Sequence, residues 1–187
     1  MKLLKKITSR LYLYLLWLVL STMIWSWIFA LIGDTSTYKK ITIYVDSQTC
    51  ADLELTLALE EDLPEGIRMI KVHPFSYVVF DEPAMLESDI FLIRESEIDN
   101  YLESLYPITE MSQWYAGKET CVRDGEVYGV RIYDAQTGEG CLQSYITYED
   151  EDYYLVFVKG SKHIGNQNGS RGDALAFEIA ERLLTMQ

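Results

Sequence analysis

"SQTCADLELTLALEEDLPEG", Ser47–Gly66, decides what kind of sheet this chain builds. Leu53, Leu55, Leu57 and Leu59 recur at period two, which is the pattern of a half-buried strand. Composition points the other way. Leu, Ala and Glu dominate, Thr56 is the one β-branched residue from Leu53 to Leu59, and the run ends in Glu60-Glu61-Asp62. These residue types favour helix. Ser47 or Thr49 supplies an N-cap oxygen, and Pro64 and Gly66 break the chain beyond the acidic end. A helix through Glu61 is predicted. The consequence is architectural, because a helix between two strands lets them pair in parallel, whereas an extended segment here would give an antiparallel sandwich.

Upstream, "KKITIYVD" alternates Ile41, Ile43 and Val45 with Thr42 and Tyr44 and reads as a strand ending at Asp46. Downstream, "IRMIKVHPF" is a second strand stopped at Pro74, and "SYVVFDEPAMLES" is a short helix or turn interrupted by Pro83. "DIFLI", Asp89–Ile93, is a third strand. "ESEIDNYLESLYPI" follows as a helix with Ile98, Leu102 and Leu105 on one face. Strand and helix alternating three times, with crossovers long enough for parallel pairing, predict an α/β fold. The expected architecture is three-layer, a mostly parallel sheet flanked by helices.

The second half has a different texture. "MSQWYAGKETCVRDGE" reads as an irregular connection with a turn at Asp124-Gly125. Three strand-like runs follow, "VYGVRIYD", "CLQSYITY" and "YYLVFVKG", separated by loops at "AQTGEG" and "EDED". After the polar loop "SKHIGNQNGSRG", the segment "DALAFEIAERLLTM" predicts a helix with Leu175, Ile179 and Leu183 on one stripe and Ser170-x-x-Asp173 at its start.

Charge divides the chain. Its 187 residues carry −13 overall, yet Lys2, Lys5, Lys6 and Arg10 put +4 into the first ten, so the remainder carries −17. An acidic domain of that kind repels phosphate backbones, and nucleic-acid binding is excluded. Between the two lies the uncharged run Leu11–Gly33. At 1.5 Å per residue it spans ~34 Å, enough to cross a ~30 Å hydrocarbon core. A cleaved signal peptide is the alternative. The run exceeds the usual ~7–15 apolar residues of such a peptide and lacks an Ala-x-Ala site. The organisation predicted is a basic tail at 1–10, a transmembrane helix at 11–33, a linker at 34–38 and an α/β domain at 39–187. Basic residues stay cytoplasmic, so the N-terminus is expected inside and the acidic domain outside a cell membrane crossed once.

Three cysteines, Cys50, Cys121 and Cys141, fall in the outer domain. Cys121 and Cys141 flank one strand-like segment and are the candidates for pairing; the alternative is reduced, buried thiols acting as small hydrophobes. No CxxC or Cys/His cluster has metal-ligand spacing, and Gly138-x-Gly140 lacks the following helix of a phosphate loop, so no cofactor is expected.

In open α/β sheets, ligands sit in the crevice outside the carboxyl ends of the strands. That rule gathers Asp46-Ser47-Gln48-Thr49, Pro74-Phe75-Ser76-Tyr77 and Arg94-Glu95-Ser96 on one rim. Asp46, Ser47, Thr49, Phe75, Tyr77, Arg94 and Tyr133 are the predicted ligand-binding residues, with Arg94 the anion anchor. Aspartates at this position serve phosphotransfer as DxD and metal-dependent adhesion as DxSxS, but Gln48 occupies the decisive position of both motifs. Asp46 is therefore expected as a cap or rim group. Trp114, Tyr115, Tyr77 and Tyr133 could stack on a sugar ring, whereas Tyr145, Tyr148, Tyr153 and Tyr154 suit half-buried strand positions. His73 and His163 have no cysteine or carboxylate at useful spacing to orient them, so catalysis is not expected. Arg171-Gly172-Asp173 spells an adhesion tripeptide and reads as a chance occurrence ahead of a helix, while Asn168-Gly169-Ser170 matches a glycosylation acceptor, relevant only in a eukaryotic secretory pathway.

Three segments resemble extracytoplasmic solute-binding proteins of transport systems, the two-lobed periplasmic-binding type. They are "DIFLI" with "YLESLYPI"; "DGEVYGVRIYD", similar to the segment leaving the first lobe; and "YYLVFVKGSKH" before "ALAFEIAERLL", similar to the strand, Ser-Lys loop and helix that return to it. Family members insert a second lobe between the outgoing and returning segments, where this chain has only a short connection. The resemblance implies a single lobe offering half a cleft, with the family's lipid attachment replaced by a transmembrane helix. Two functions are carried forward. One is a membrane-anchored, non-catalytic ligand-binding domain for a small solute, peptide or glycan. The other is a domain that has lost small-ligand binding and docks onto an envelope protein.

Overall fold

The computed structural model describes residues 2–33, 36–47, 49–75, 83–165 and 173–186. The chain forms two units, Met1–Ser36 and Thr37–Gln187. The first is one helix, α1 (Lys2–Gly33). Within it Leu11–Phe29 has a mean hydropathy of 1.7, long and apolar enough for a membrane span or a signal sequence. The one threonine between Leu11 and Phe29, Thr22, satisfies its hydroxyl on the carbonyls of Leu18 and Val19, at 3.0 and 2.8 Å.

The second unit is built on a mixed sheet. Its strands are β1 (Lys40–Val45), β2 (Thr49–Cys50), β3 (Met69–Pro74), β4 (Ile90–Arg94), β5 (Leu105–Tyr106), β6 (Thr120–Arg123), β7 (Glu126–Asp134), β8 (Glu139–Gly140), β9 (Ile146–Thr147) and β10 (Tyr153–Val158). Helices α2 (Asp52–Glu60), α3 (Pro83–Leu86), α4 (Glu95–Tyr101) and α5 (Leu175–Thr185) complete it. The main sheet runs β3-β1-β4-β10-β7-β6, with β5 on β10 and β8 on β7, while β2 and β9 form a separate two-stranded ribbon. β1 pairs in parallel with both β3 and β4. β10, β7 and β6 then join antiparallel. β3, β1, β4, β5 and β7 consequently share one direction, and among the described strands of this sheet β10, β6 and β8 oppose it.

The leucine run of Ser47–Gly66 is helical. Leu55 and Leu59 are 0% and 2% exposed, while Leu53 and Leu57 are 68% and 56% exposed, so the burial follows i, i+4 and not i, i+2. The cap differs from expectation. Ala51 stands at the N-cap without a side-chain bond, because Thr49 and Cys50 are already committed to β2.

Period two along the strands sorts side chains into two cores. Ile41, Ile43, Val45, Ile90, Leu92, Leu155 and Phe157 face Leu55 and Leu59 of α2 and Ile179 and Leu183 of α5. Phe91, Ile93, Tyr154, Val156 and Val158 face Met85 of α3 and Ile98 of α4. Helices therefore cover both faces, as the α/β expectation requires. β4 and β10 lie at the centre; Ile90–Ile93 are each 0% exposed, and each such side chain contributes about 1.5–3 kcal/mol by leaving water. Gly129 lets β7 cross beside β10, since a Cβ there would stand 2.6 Å from the Leu155 carbonyl oxygen.

Several local expectations change. The segment around Asp124-Gly125 is a hairpin, with β6 and β7 joined by two residues at positive φ (53° and 84°), the two-residue turn that matches strand twist. The helix after β4 ends at Tyr101 and passes through a short 3-10 turn into β5, so Leu105 is a strand residue paired across to Val158. Pro83 starts α3 instead of interrupting it, as suits a residue whose missing N–H is no loss in the first turn. "CLQSYITY" contributes only β9, because Leu142 sits at φ 61° and turns the chain. Cys121 and Cys141 do not pair. All three cysteines are free, and these two lie in opposite cores, Cys121 with Phe91 and Cys141 with Ile132. Ser170, Tyr77 and most of the two loop tripeptides lie outside the described residues.

Candidate functional site

The order β3-β1-β4 defines where a site can form. After β1 the chain crosses by α2 on one face to β3; it returns by α3 on the other face to β4, on β1's opposite side. Connections therefore diverge between the carboxyl ends of β1 and β4, which is the switch point where such sheets open a crevice. Asp46 and Arg94 stand there, one at each strand end.

They bond to each other. Asp46 N–H donates to the Leu92 carbonyl at 2.8 Å, extending the ladder by one residue and fixing the carboxylate at the rim. Arg94 Nε donates to Asp46 Oδ2 at 2.8 Å, and Arg94 Nη1 donates to Glu149 Oε2 at 3.0 Å. Glu151 stands 3.8 Å from the same Nη1. The Asp46 side chain is 9% exposed, against 32% for each glutamate, so Arg94 has one buried partner and two at the surface. Four carboxylates, Asp46, Glu149, Asp150 and Glu151, thus surround a rim whose predicted anchor is a single guanidinium.

Beside this cluster three tyrosines close the floor. Tyr133 stacks on Tyr148 with centroids 4.3 Å apart and planes 13° from parallel, and Tyr153 meets Tyr148 edge-on at 4.8 Å. Tyr148 donates its hydroxyl to the Cys141 carbonyl at 2.7 Å, and Tyr153 Oη accepts from Glu149 N–H at 3.3 Å. Burial pushes the Tyr148 hydroxyl well above the ordinary phenol range and that of Tyr153 up to about 12, so both remain neutral. Tyr133 therefore has one ring face committed to a neighbour.

Among the other predicted residues, Ser47 donates to the Thr49 carbonyl at 3.0 Å and Thr49 bonds Thr147 across the β2–β9 ribbon at 2.7 Å. Phe75 belongs to the opposite core, edge-on to Phe91 at 5.2 Å and tilted against Tyr101 at 5.4 Å. The fold brings Asp46 and Arg94 into one site, sets Ser47, Thr49 and Tyr133 nearby in bonds of their own, and takes Phe75 elsewhere. Tyr77 lies outside the described residues. Glu149, Glu151, Tyr148 and Tyr153 complete the cluster, though the sequence presents them as a spacer and as packing residues. A usable signal exists. Placing "YYLVFV" antiparallel to "IFLIR" sets Tyr153 opposite Arg94 and the acidic "EDED" immediately beyond it.

Two concavities flank the cluster. An open dish of about 450 Å³ is walled by Tyr148, Glu149, Asp150 and Glu151. A groove of about 480 Å³ lies along β7 between β8 and the residues just ahead of β6, where Arg131, Tyr133, Lys118 and Leu184 line it. In that groove Arg131 is held by Glu119, and by Asp134 and Asp152 at 3.0 Å each. Both volumes fall within ligand size, but the dish is lined by carboxylates and a tyrosine alone, and in the groove Arg131 is already compensated by carboxylates while Lys118 donates to the Trp114 carbonyl. Among the described residues, no group of three or more His, Cys, Asp or Glu side chains is arranged to hold a metal ion.

A second polar cluster lies at the other end of β4. Asp89 accepts from Thr42 N–H at 2.8 Å and from Ser161 Oγ at 2.5 Å, and Ser161 Oγ accepts from His163 N–H at 3.0 Å. The fold also supplies His163 with the carboxylate its sequence neighbours lack, since Asp173 Oδ1 is 2.7 Å from Nδ1. His73 instead packs against Tyr44, at 5.5 Å between centroids, with burial and Lys71 holding its pKa below the ordinary value.

No family model matches the chain, and no curated protein matches it. Among solved structures it is similar to an N-glycan transport solute-binding protein of Streptococcus pneumoniae, solved in complex with Man1GlcNAc, at 14% identity and a TM-score of 0.34. The match covers 51% of this chain and 25% of that one. At that score the likeness carries no argument about function. The class of the fold, a mixed α/β sheet covered by helices on both faces, stands on the topology itself.

Proposed function

We propose that this protein is a single-pass membrane protein whose extracytoplasmic α/β domain recognises a partner at its surface, without catalysis and without enclosing a small solute. One observation carries the choice: the strand-tip crevice is filled by the domain's own groups, Arg94 against Asp46, Glu149 and Glu151, and Tyr133 against Tyr148. A solute-binding crevice keeps directed donors available to the ligand; here they are spent internally. The surplus of carboxylates around the rim complements a basic partner surface. The apolar run Leu11–Phe29 supports anchoring, and the basic residues before it support an inside N-terminus.

The second function, capture of a small solute or glycan, is favoured by the ~450 Å³ dish beside Tyr148 and is separated from the first by a thermal-shift panel. With the full chain in detergent, saccharides, amino acids, short peptides and divalent ions are expected to leave the melting temperature unchanged. A saturable rise with any of them, lost on Arg94→Ala, would favour solute capture; a bound ligand at a hundred times its Kd adds ~2.7 kcal/mol. Protease added to intact cells should digest the domain, and full protection would reverse the orientation.

A further inference from the structure

The network around His163 is not used by the rim, yet it is the most completely buried polar assembly among the described residues. His163 itself is 0% exposed, Ser161 8% and Asp89 3%. It joins four separate places in the chain. Asp89 immediately precedes β4, Ser161 and His163 follow β10, Asp173 precedes α5, and Thr37 begins the segment that enters β1. Main-chain bonds reinforce the junction, with Ala176 N–H donating to the His163 carbonyl at 3.0 Å and Gly165 N–H to the Asp173 carbonyl at 2.6 Å.

The ring has an acceptor at each nitrogen. Nδ1 faces the Asp173 carboxylate at 2.7 Å and Nε2 faces the Thr37 carbonyl at 3.0 Å. A neutral imidazole carries one N–H and can satisfy only one of them; the imidazolium satisfies both. Thr37 has no alternative proton state to offer, because its partner atom is a backbone carbonyl.

We propose that His163 is a proton-operated fastener: as imidazolium it ties the entering segment at Thr37 to the start of α5 at Asp173, and on losing its proton it releases one of the two. The charged groups about the ring are Asp173, from ahead of α5, and Asp89, from the start of β4. Lys162 is its chain neighbour, and Lys39 and Lys40 belong to the entering segment, Lys39 exposed and the other two partly so. α5 presents apolar side chains here, Ala176 and Phe177.

The direction of the switch follows from these surroundings. Burial alone would lower the His163 pKa, but the Asp173 bond, the Asp89 charge and the Thr37 carbonyl outweigh it, and the pKa is raised. The fastening is then complete below the ordinary value of ~6.5 and is lost as pH rises through the higher folded value. Release on alkalinisation would loosen the segment by which the chain enters the domain.

The test uses the full chain in detergent micelles with ¹³C-histidine. His73 is the internal control, assigned through His73→Asn. The His163 ring is expected to titrate above 6.5 and His73 below it. Amide exchange at residues 38–42, corrected for its intrinsic pH dependence, should accelerate about tenfold or more across the His163 midpoint, since a hydrogen bond to a charged group is being lost. Asp173→Asn, which keeps the shape and removes the charge, should move both the midpoint and the exchange transition to lower pH together. His163 titrating at or below 6.5, or exchange at 38–42 that is flat from pH 5.5 to 8.5, would overturn the proposal. So would an exchange transition that stays in place when Asp173→Asn moves the midpoint. Because Asp173 is partly exposed, that variant folds on stability grounds even where removal of His163 does not.

Discussion

β4 carries a polar cluster at each end, and the two are built on opposite plans. At its carboxyl end Arg94 meets one buried carboxylate and two partly exposed ones; at its amino end Asp89, Ser161 and His163 are buried among bonds from four segments. The rim has more carboxylates than its one guanidinium compensates, and water and counter-ions reach the surplus. In the inner cluster Asp173 reaches solvent, but Asp89, Ser161 and His163 are buried, so each of those three depends on its neighbours. Surface ion pairs are worth ~0–1 kcal/mol, whereas breaking a buried one costs ~3–5 kcal/mol. One end of the strand is therefore tolerant and adjustable, as suits a recognition surface, and the other is brittle, as suits a junction that holds the fold.

Substitutions should reveal that contrast. His163→Ala leaves two acceptors and a cavity where the ring was, and chemical denaturation should record a loss of about 3 kcal/mol. A loss below ~1 kcal/mol would show that the network is not structural. Arg94→Ala strands the buried Asp46 carboxylate and should cost about 2 kcal/mol in the same assay. Should the Arg94 loss exceed that of His163, the contrast is inverted. Glu149→Gln removes only a partly exposed partner and should stay within ~0.5 kcal/mol of the wild type. Acidity offers a fourth comparison. Burial, opposed by bonds from Ser161 and Thr42, raises the Asp89 pKa to about 6. An acid with a raised folded pKa contributes stability that is lost as pH rises through that value, the same sign as His163. Melting temperature should accordingly fall from pH 5 to pH 8, and the fall should shrink in Asp89→Asn.

Legibility from sequence followed the range of the interaction. The parallel half, β1-α2-β3 and β4, was readable because local composition settled each element. Even the misleading leucine alternation yielded to the absence of β-branched residues, and Leu55 and Leu57 now divide between core and solvent. Asp46 and Arg94 were likewise reached by a topological rule that needs only element order. The second half was harder, since β6, β8 and β9 have two to four residues and their identity rests on pairing with distant partners. The same reason hid Glu149 from Arg94 and Asp173 from His163: 55 and 10 residues separate the partners, and no spacing rule links them. Nor did the cysteine spacing indicate that the sheet itself would stand between Cys121 and Cys141.

The strand-tip crevice is occupied by the protein's own charged groups. A double-mutant cycle on Asp46 and Arg94, with Asp46→Ala, Arg94→Ala and the pair compared by chemical denaturation of the full chain, measures that occupancy directly. A coupling of about 1 kcal/mol or more is predicted, exceeding that of a parallel cycle on Arg94 and Glu149. Strict additivity between Asp46 and Arg94 would mean the two do not hold each other, and the crevice would then be open.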